Sequence, residues 1–408
     1  MPNYKPADLF MTGLGVTSSI GQGVENFTAA LFEGRQNFAV MQRPGRQHDS
    51  SFIGAEISDL SCPERIPAKL WRSASFAGQV AMVTLQEAWE DAKLDLADPK
   101  RIGLVIGGSN VQQRNWIELY ERYRDKVSFV PPSYGVSFLD SDLCGLCTEQ
   151  FGIQGFAYTA GGASASGQVA VIQAIQAVRS GQVDICIAMG ALQDLSYWEC
   201  QALRSLGAMG TDRYVHDPAM ACRPFDQGRD GFIYGENCGV IVIERAESAE
   251  ARQATRYAKV SGWAMGMDAN RNPNPSYEGE TRVIRQALEH AGLSAGDIDY
   301  VNPHGTGSPA GDDVELRALR DCGLAHAHVN ATKSLIGHGL SAAGTVELIA
   351  TVLQMRASRL HPTRNLIDPI DPSFRWVQEK EICYGINHAI SLSMGFGGMN
   401  TAICLQKI

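Results

Sequence analysis

Ser164, His304 and His338 each stand in a turn of small residues beside an apolar run. Ser164 lies in Ala163-Ser164-Ala165-Ser166-Gly167, and a run with helical character follows as far as Gly181, a helix-ending residue. Val169, Ile172, Ala174, Ile175 and Val178 leave that helix almost no polar face, so it is expected to be buried. The start of such a helix offers unpaired backbone N–H groups and the positive end of the helix dipole. A nucleophile or an oxyanion is well placed there. Equally, the small residues can serve only to let two helices pack closely. His304 opens Gly305-Thr306-Gly307 after an apolar strand, and His338 stands between Gly337 and Gly339 before an apolar helix. The other histidines (His48, His216, His290, His326, His328, His361 and His388) lack that setting and read as ordinary core or surface residues.

The elements that must position these turns repeat along the chain. In the first half, strands are expected at Leu9 to Thr12, Ile102 to Ile106, Asp184 to Met189 and Val240 to Ile243, with a helix at Val24 to Phe32. In the second, strands are expected at Tyr257 to Ser261, Ile298 to Val301, Ala389 to Met394 and Thr401 to Leu405. Helices there are expected at Thr281 to Ala291 and Ser341 to Met355. The Ser164 turn and the His338 turn thus occupy equivalent places in two similar halves, residues 1–250 and 251–408. Alternating strands and helices imply α/β layers with largely buried sheets. Ser109 to Gly155 reads as an irregular insertion.

Composition bounds the function. The chain has 408 residues, 44% hydrophobic and 19% charged, which is ample for a folded core. A formal net charge of −9 with scattered Lys and Arg argues against nucleic acid as a partner. Met1 to Leu9 lack the apolar core of a signal peptide, and Glu347 interrupts the longest apolar run, so no membrane span is expected. The 10 cysteines show no disulfide framework and point to a reducing cytoplasm. Cys144 and Cys147 have a metal or redox spacing but no second pair; they read as one face of a helix, and no metal site is expected.

Together these motifs resemble the β-ketoacyl-ACP synthases, the condensing enzymes of fatty acid and polyketide synthesis. That family has a Cys between small residues at the start of a buried helix, where this chain has Ser164. The resemblance continues in His304-Gly305-Thr306-Gly307-Ser308, Lys333-Ser334-Leu335-Ile336-Gly337-His338 and Gly395-Phe396-Gly397-Gly398, and it covers essentially the whole chain. It also includes Arg223-Pro224-Phe225-Asp226, Arg229-Asp230-Gly231-Phe232 and Gly235-Glu236, for which a structural role is expected. The resemblance implies a thiolase-type α/β fold, layered αβαβα, with two similar halves packed sheet to sheet around two central helices. It implies that the insertion at residues 109–155 builds pocket wall and dimer surface.

By position, His304 and His338 would stabilise the thioester oxygen and the enolate of a malonyl group. Lys333 would support them electrostatically, and Glu347 would help to orient the network. The backbone N–H groups of Ser164 and Phe396 would form an oxyanion hole, with Phe396 and Gly397 at the gate. Thr306 and Ser308 would bind the phosphopantetheine arm. No bound cofactor is implied; the substrate arrives on the phosphopantetheine of an acyl carrier protein, and a homodimer is expected. The carrier would dock on the basic segment holding Arg65, Lys69 and Arg72.

The serine changes the chemistry. A thiol is partly ionised near neutral pH, whereas a serine hydroxyl needs a general base. A helix dipole contributes only about 1 kcal/mol, too little to ionise it. Acyl loading is therefore expected to be weak or absent. Decarboxylation needs only binding and the two histidines, and both are kept. The combination resembles the malonyl-ACP decarboxylases of polyketide β-branching, which convert malonyl-ACP to acetyl-ACP and CO2 without condensation. Two alternatives stand beside it: a catalytically silent subunit of the chain-length-factor type, and a serine acyltransferase using His304 or His338 as base. Ile336 and Met399 depart from the threonines usual in ketosynthases.

Overall fold

The computed structural model describes residues 8–408. The reading of Met1 to Leu9 falls almost wholly outside them. Apolar runs become the strands, most of them buried on both faces; Phe156–Ala160 and one face of Ala258–Met267 stay partly exposed. The first half contributes β1 (Leu9–Ser18), β2 (Ile102–Gly107), β3 (Phe156–Ala160), β4 (Ile185–Gly190) and β5 (Asn237–Arg245). The second contributes β6 (Ala258–Met267), β7 (Tyr300–Asn302), β8 (His328–Val329), β9 (His388–Gly395) and β10 (Met399–Gln406). Their spatial orders are β3-β2-β4-β5-β1 and β8-β7-β9-β10-β6. Each half therefore runs third, second, fourth, fifth, first. The pairing directions also match: two parallel ladders and then two antiparallel ones. A short strand at Arg375–Trp376 extends the second set beyond β8.

The two sets are not wholly separate sheets. Leu9 to Met11 of β1 pair antiparallel with Ala258 to Val260 of β6, so hydrogen bonding continues from one half into the other. Each strand is the outermost of its set on that side, and the pairing satisfies two edges at once.

Six helices matter for the site: α1 (Ala68–Ser73), α2 (Phe76–Asp91), α3 (Ser166–Arg179), α4 (Tyr277–Ala291), α5 (Pro309–Asp321) and α6 (Ala343–Ala357). Helix α2 packs on β1 and β5, and α4 on β6 and β10. Helices α3 and α6 lie between, each touching strands of both halves as well as the other. They meet through glycine: a Cβ on Gly167 would lie 2.8 Å from the Thr345 nitrogen, and one on Gly344 would lie 2.8 Å from the Gln168 nitrogen. The small residues after Ser164 do allow close helix packing. The result is the layered thiolase-type arrangement. No helix among the described residues is long and apolar enough to cross a membrane.

Three expectations need correction. The insertion is not irregular: it holds helices Gln113–Tyr123 and Ser141–Phe151. Cys144 and Cys147 are buried on the second of these, and burial pushes the Cys144 thiol up to about 11. Helices α2 and α5 were not anticipated, although α2 fills the space behind β1. Strand β1 is 10 residues long rather than a short segment.

Candidate active site

A single turn, Ala163–Ala165, carries Ser164 into α3. Ala163 has φ +48°, a left-handed conformation that costs a non-glycine residue about 1–2 kcal/mol. The turn is braced from inside. The Gly162 N–H donates to Ser166 Oγ at 2.8 Å, and the Ser166 hydroxyl donates to the Ala163 carbonyl at 2.7 Å. Ser393 Oγ on β9 donates to the Ser164 carbonyl at 3.2 Å. The turn after β9 presses close, because a Cβ on Gly395 would lie 2.0 Å from the Gly162 oxygen. Phe396 is thereby brought beside Ser164.

His338 arrives from the other half, and its Nε2 lies 3.0 Å from Ser164 Oγ. Its backbone N–H donates to the Ile233 carbonyl at 2.7 Å, and its carbonyl accepts from the Gly235 N–H at 3.1 Å. Leu340 has φ +51°, and its N–H donates to His338 Nδ1 at 3.3 Å. Nδ1 is therefore the acceptor, so the tautomer assigned by this hydrogen bond has its proton on Nε2. The imidazole aims an N–H at the Ser164 hydroxyl; it is not poised to remove a proton from it.

His304 stands against His338, with ring centroids 5.5 Å apart and planes at 82°. Burial, and then the charge of Lys333, holds both imidazoles well below the usual histidine range; for His338 the neighbouring His304 adds to this. Both are neutral at pH 7. Lys333 Nζ donates to the His304 carbonyl at 2.5 Å and to Glu347 Oε1 at 2.6 Å. Burial outweighs Lys333 at Glu347 and pushes its carboxyl up to about 7. Lys333 and Glu347 are buried and line no part of the cleft; Lys333 meets it only through the His304 carbonyl.

Two carboxyls on α5 hold the His304 loop in shape. Glu315 accepts from the N–H groups of His304 (2.6 Å) and Gly305 (2.8 Å). Asp312 accepts from those of Thr306 (3.2 Å), Gly307 (3.1 Å) and Phe225 (2.7 Å). Burial raises Asp312 to about 6 and Glu315 to about 7. The segment Arg223 to Glu236 has the structural role expected of it, and a more specific one. Phe225 grips the His304 loop through Asp312, the Gly231 N–H donates to the Gly307 carbonyl at 3.0 Å, and Ile233 and Gly235 hold His338. One loop sets the spacing of both histidines.

Ser164, His304, His338 and Phe396 open on one cleft of about 1050 Å³, counting its mouth. Thr306 and Ser308 line it too; Thr306 Oγ1 accepts from the Ser308 N–H, and Ser308 Oγ caps α5. Gly397 shapes the turn, at φ +87°, while Gly395 and Gly398 face the cleft in its place. Sequence reasoning missed Phe232, whose ring meets His338 edge-on at 5.1 Å, and a second acidic pair, Asp268 and Glu280. Glu280 looks from sequence like an ordinary acidic residue in a helix's first turn. Within this chain, no residue of 109–155 lines this cleft. No group of three metal-ligating side chains occurs among the described residues.

The three basic residues expected at a docking face are not equivalent. Arg65 lies outside α1 and is held by Asp95 through two hydrogen bonds of 2.8 and 2.6 Å. Lys69 and Arg72 are exposed on α1, three residues apart.

Several known proteins are similar to this chain. It is 64% identical over 401 residues, 98% of this chain and 97% of the relative, to the polyketide biosynthesis malonyl-ACP decarboxylase PksF of Bacillus subtilis. Its fold superposes on the ishigamide ketosynthase/chain length factor with a TM-score of 0.90 at 27% identity, covering 99% of this chain and 100% of that one. It also superposes on the AntDE:AntF complex, a type II polyketide synthase acyl-carrier protein with its ketosynthase, with a TM-score of 0.84 at 26% identity, covering 99% and 100%. Residues 8–249 match the β-ketoacyl synthase N-terminal domain and residues 257–367 the C-terminal domain, and the chain belongs to the β-ketoacyl synthase family.

Proposed function

We propose that this protein decarboxylates malonyl-ACP to acetyl-ACP and CO2 without forming a carbon–carbon bond. The observation that carries this is the His338 Nε2–H directed at Ser164 Oγ. A donor there cannot activate the serine, but it can hold a thioester oxygen as charge gathers on it. Two neutral imidazoles aimed at that oxygen lower the barrier to losing CO2, because the charge left behind spreads onto the oxygen as an enolate.

Thr306 and Ser308 line the approach and suit the phosphopantetheine arm that brings the substrate, with no other cofactor. Lys69 and Arg72 offer an acidic carrier protein a local basic face on a chain of net charge −9. A homodimer is supported by β3, an outer strand of its sheet with partly exposed Phe156 and Tyr158, which a second copy can extend. Ten free cysteines suit a reducing cytoplasm. The division between the halves falls near residue 250, in the helix before β6.

The test is the mass of the carrier after incubation of the purified protein with malonyl-ACP. Loss of CO2 with acetyl retained on the carrier is expected. An unchanged malonyl mass with folded protein would favour a silent subunit, and free acetate would favour a serine hydrolase.

A further inference from the structure

Losing CO2 from a malonyl thioester leaves an electron pair on the α-carbon, and a reaction that does not condense must end by placing a proton there. Few groups along the cleft can supply one. The Ser164 hydroxyl and a neutral imidazole N–H are poor acids, and His338 uses its proton on oxygen. Asp312 and Glu315 spend both carboxyl oxygens accepting backbone N–H groups. Asp268 accepts from Asn400 Nδ2 on its Oδ2 at 2.8 Å; its Oδ1 has no hydrogen-bond partner, but the Arg282 guanidinium lies 3.8 Å from it and favours the carboxylate.

Glu280 is different. It lines the same cleft as Ser164, His304 and His338, is only 2% exposed, and its Oε2 is buried with no hydrogen-bond partner. Its place in the wall is fixed by the start of α4: a Cβ on the preceding Gly279 would lie 1.9 Å from Asp268 Oδ1 and 2.6 Å from Asn400 Nδ2. Glu315, Asp268 and Asp312 face it with like charge; Arg282 leans toward Asp268, and Arg229 is 3.9 Å from Asp312. Burial first, then Glu315, holds the Glu280 carboxyl well above the usual range, which favours its protonated form.

We propose that Glu280 is the acid that protonates the α-carbon after CO2 has left, directly or through one water. The assignment rests on the decarboxylase reading above. The carbon–carboxylate bond breaks and its electron pair becomes the enolate. The enolate double bond then takes the Glu280 proton at the terminal carbon, the thioester carbonyl reforms, and acetyl-ACP results. Glu280 is left as a carboxylate and recovers a proton from solvent through the open mouth. The sum is malonyl thioester anion plus one proton, giving acetyl thioester plus CO2.

The experiment compares the unaltered protein with Glu280→Gln and Glu280→Asp in buffer containing ¹³C-labelled bicarbonate, following acetyl-ACP and label in the remaining malonyl-ACP. General acids contribute about 10²–10⁴-fold, and water can replace part of this, so Glu280→Gln is expected to slow acetyl-ACP formation about 10²-fold. The enolate then survives long enough to recapture CO2, so labelled malonyl-ACP rises relative to product. A fall in rate at alkaline pH is expected of the unaltered protein and should disappear in Glu280→Gln. Glu280→Asp retains part of the rate and the alkaline fall. Binding of a malonyl carrier with an amide in place of the thioester stays within about twofold, since uniform binding is not what is lost. Should Glu280→Gln fail to fold, the Asp variant alone must show slowed product with increased label. An unchanged rate and pH profile, or a rate loss matched by lost binding without label exchange, overturns the assignment. No acetyl-ACP from the unaltered protein overturns the decarboxylase reading instead, and this assignment falls with it.

Discussion

The two halves share a strand order and a central helix, yet what stands before each central helix differs in kind. Before α3 is Ser164, a neutral hydroxyl whose carbonyl is held by Ser393 and whose turn is braced by Ser166. Before α6 is His338, joined by His304 and backed by buried Lys333 and Glu347, with Glu315 and Asp312 under the His304 loop. The lysine and the three carboxyls of this support all lie in the second half, with Arg229 of the first half 3.9 Å from Asp312. A buried charge network is costly to keep unless partners satisfy it, and this one is kept complete beside a position that cannot ionise. On the proposed reading, the comparison separates two tasks: stabilising an enolate oxygen, which falls to the second half, and taking up an acyl group, for which the first half lacks the means.

Removing the second half's donors should break this contrast most severely. His304→Ala and His338→Ala are each expected to lower kcat for acetyl-ACP formation by about 10²–10³, the range for one oxyanion donor. Ser164→Ala should cost at most about fivefold, the worth of a neutral hydrogen bond near 1 kcal/mol. Single-turnover kinetics decide between them: abolished turnover in Ser164→Ala with active histidine variants would make the serine a nucleophile. Because both imidazoles are already neutral, no histidine titration should appear in kcat/KM near pH 6.5.

Lys333→Met tests the support rather than the donors. Stripping one partner from a buried pair costs about 3 kcal/mol or more. Glu347 can escape by keeping a proton. A folded carboxyl raised above its unfolded value contributes stability below the unfolded pKa and loses it as pH rises through the folded one. The fall in Tm should therefore be larger at pH 8 than at pH 6, and Lys333→Met with Glu347→Gln should flatten that dependence. An equal fall at both pH values would show that Glu347 does not hold the proton.

Ser164→Cys sharpens the comparison from the other side. The helix start remains, so an introduced thiol should be alkylated or acylated more readily than the buried native cysteines, as peptide mass mapping would show. Condensation should stay poor, since Ile336 and Met399 are unchanged. No label at position 164 would mean that the turn does not present this side chain to the cleft.

The smallest effect belongs to the surface. Lys69→Glu with Arg72→Glu should raise KM for malonyl-ACP about fivefold, as lost rim charges of about 1 kcal/mol do, and leave malonyl-pantetheine turnover unchanged. Arg65→Glu should act through Asp95 on local stability instead. Equal losses on both substrates would move the carrier's site elsewhere.

Much of this was legible in the sequence because turns of small residues are punctuation. Ser164, His304 and His338 sit beside glycines at the ends of apolar runs, and that pattern survives folding. Residues whose work is long-range were not legible. Arg65 looks like its neighbours until Asp95, distant in sequence, takes both of its terminal nitrogens. Helix Gln113–Tyr123 is too polar to announce a buried face. Glu280 carries the usual charge of a helix start, and only the approach of α5 and β6 turns it into an isolated acid.

The hydrogen bond from the Leu340 N–H to His338 Nδ1 reaches beyond the enolate. An imidazole that already presents its proton to the cleft cannot take one from water, so His338 does not prepare an attack on the product. The acyl–sulfur bond survives, and its transfer potential departs with the carrier. One backbone N–H, set by a leucine at φ +51°, keeps this imidazole from turning water on the activated two-carbon unit.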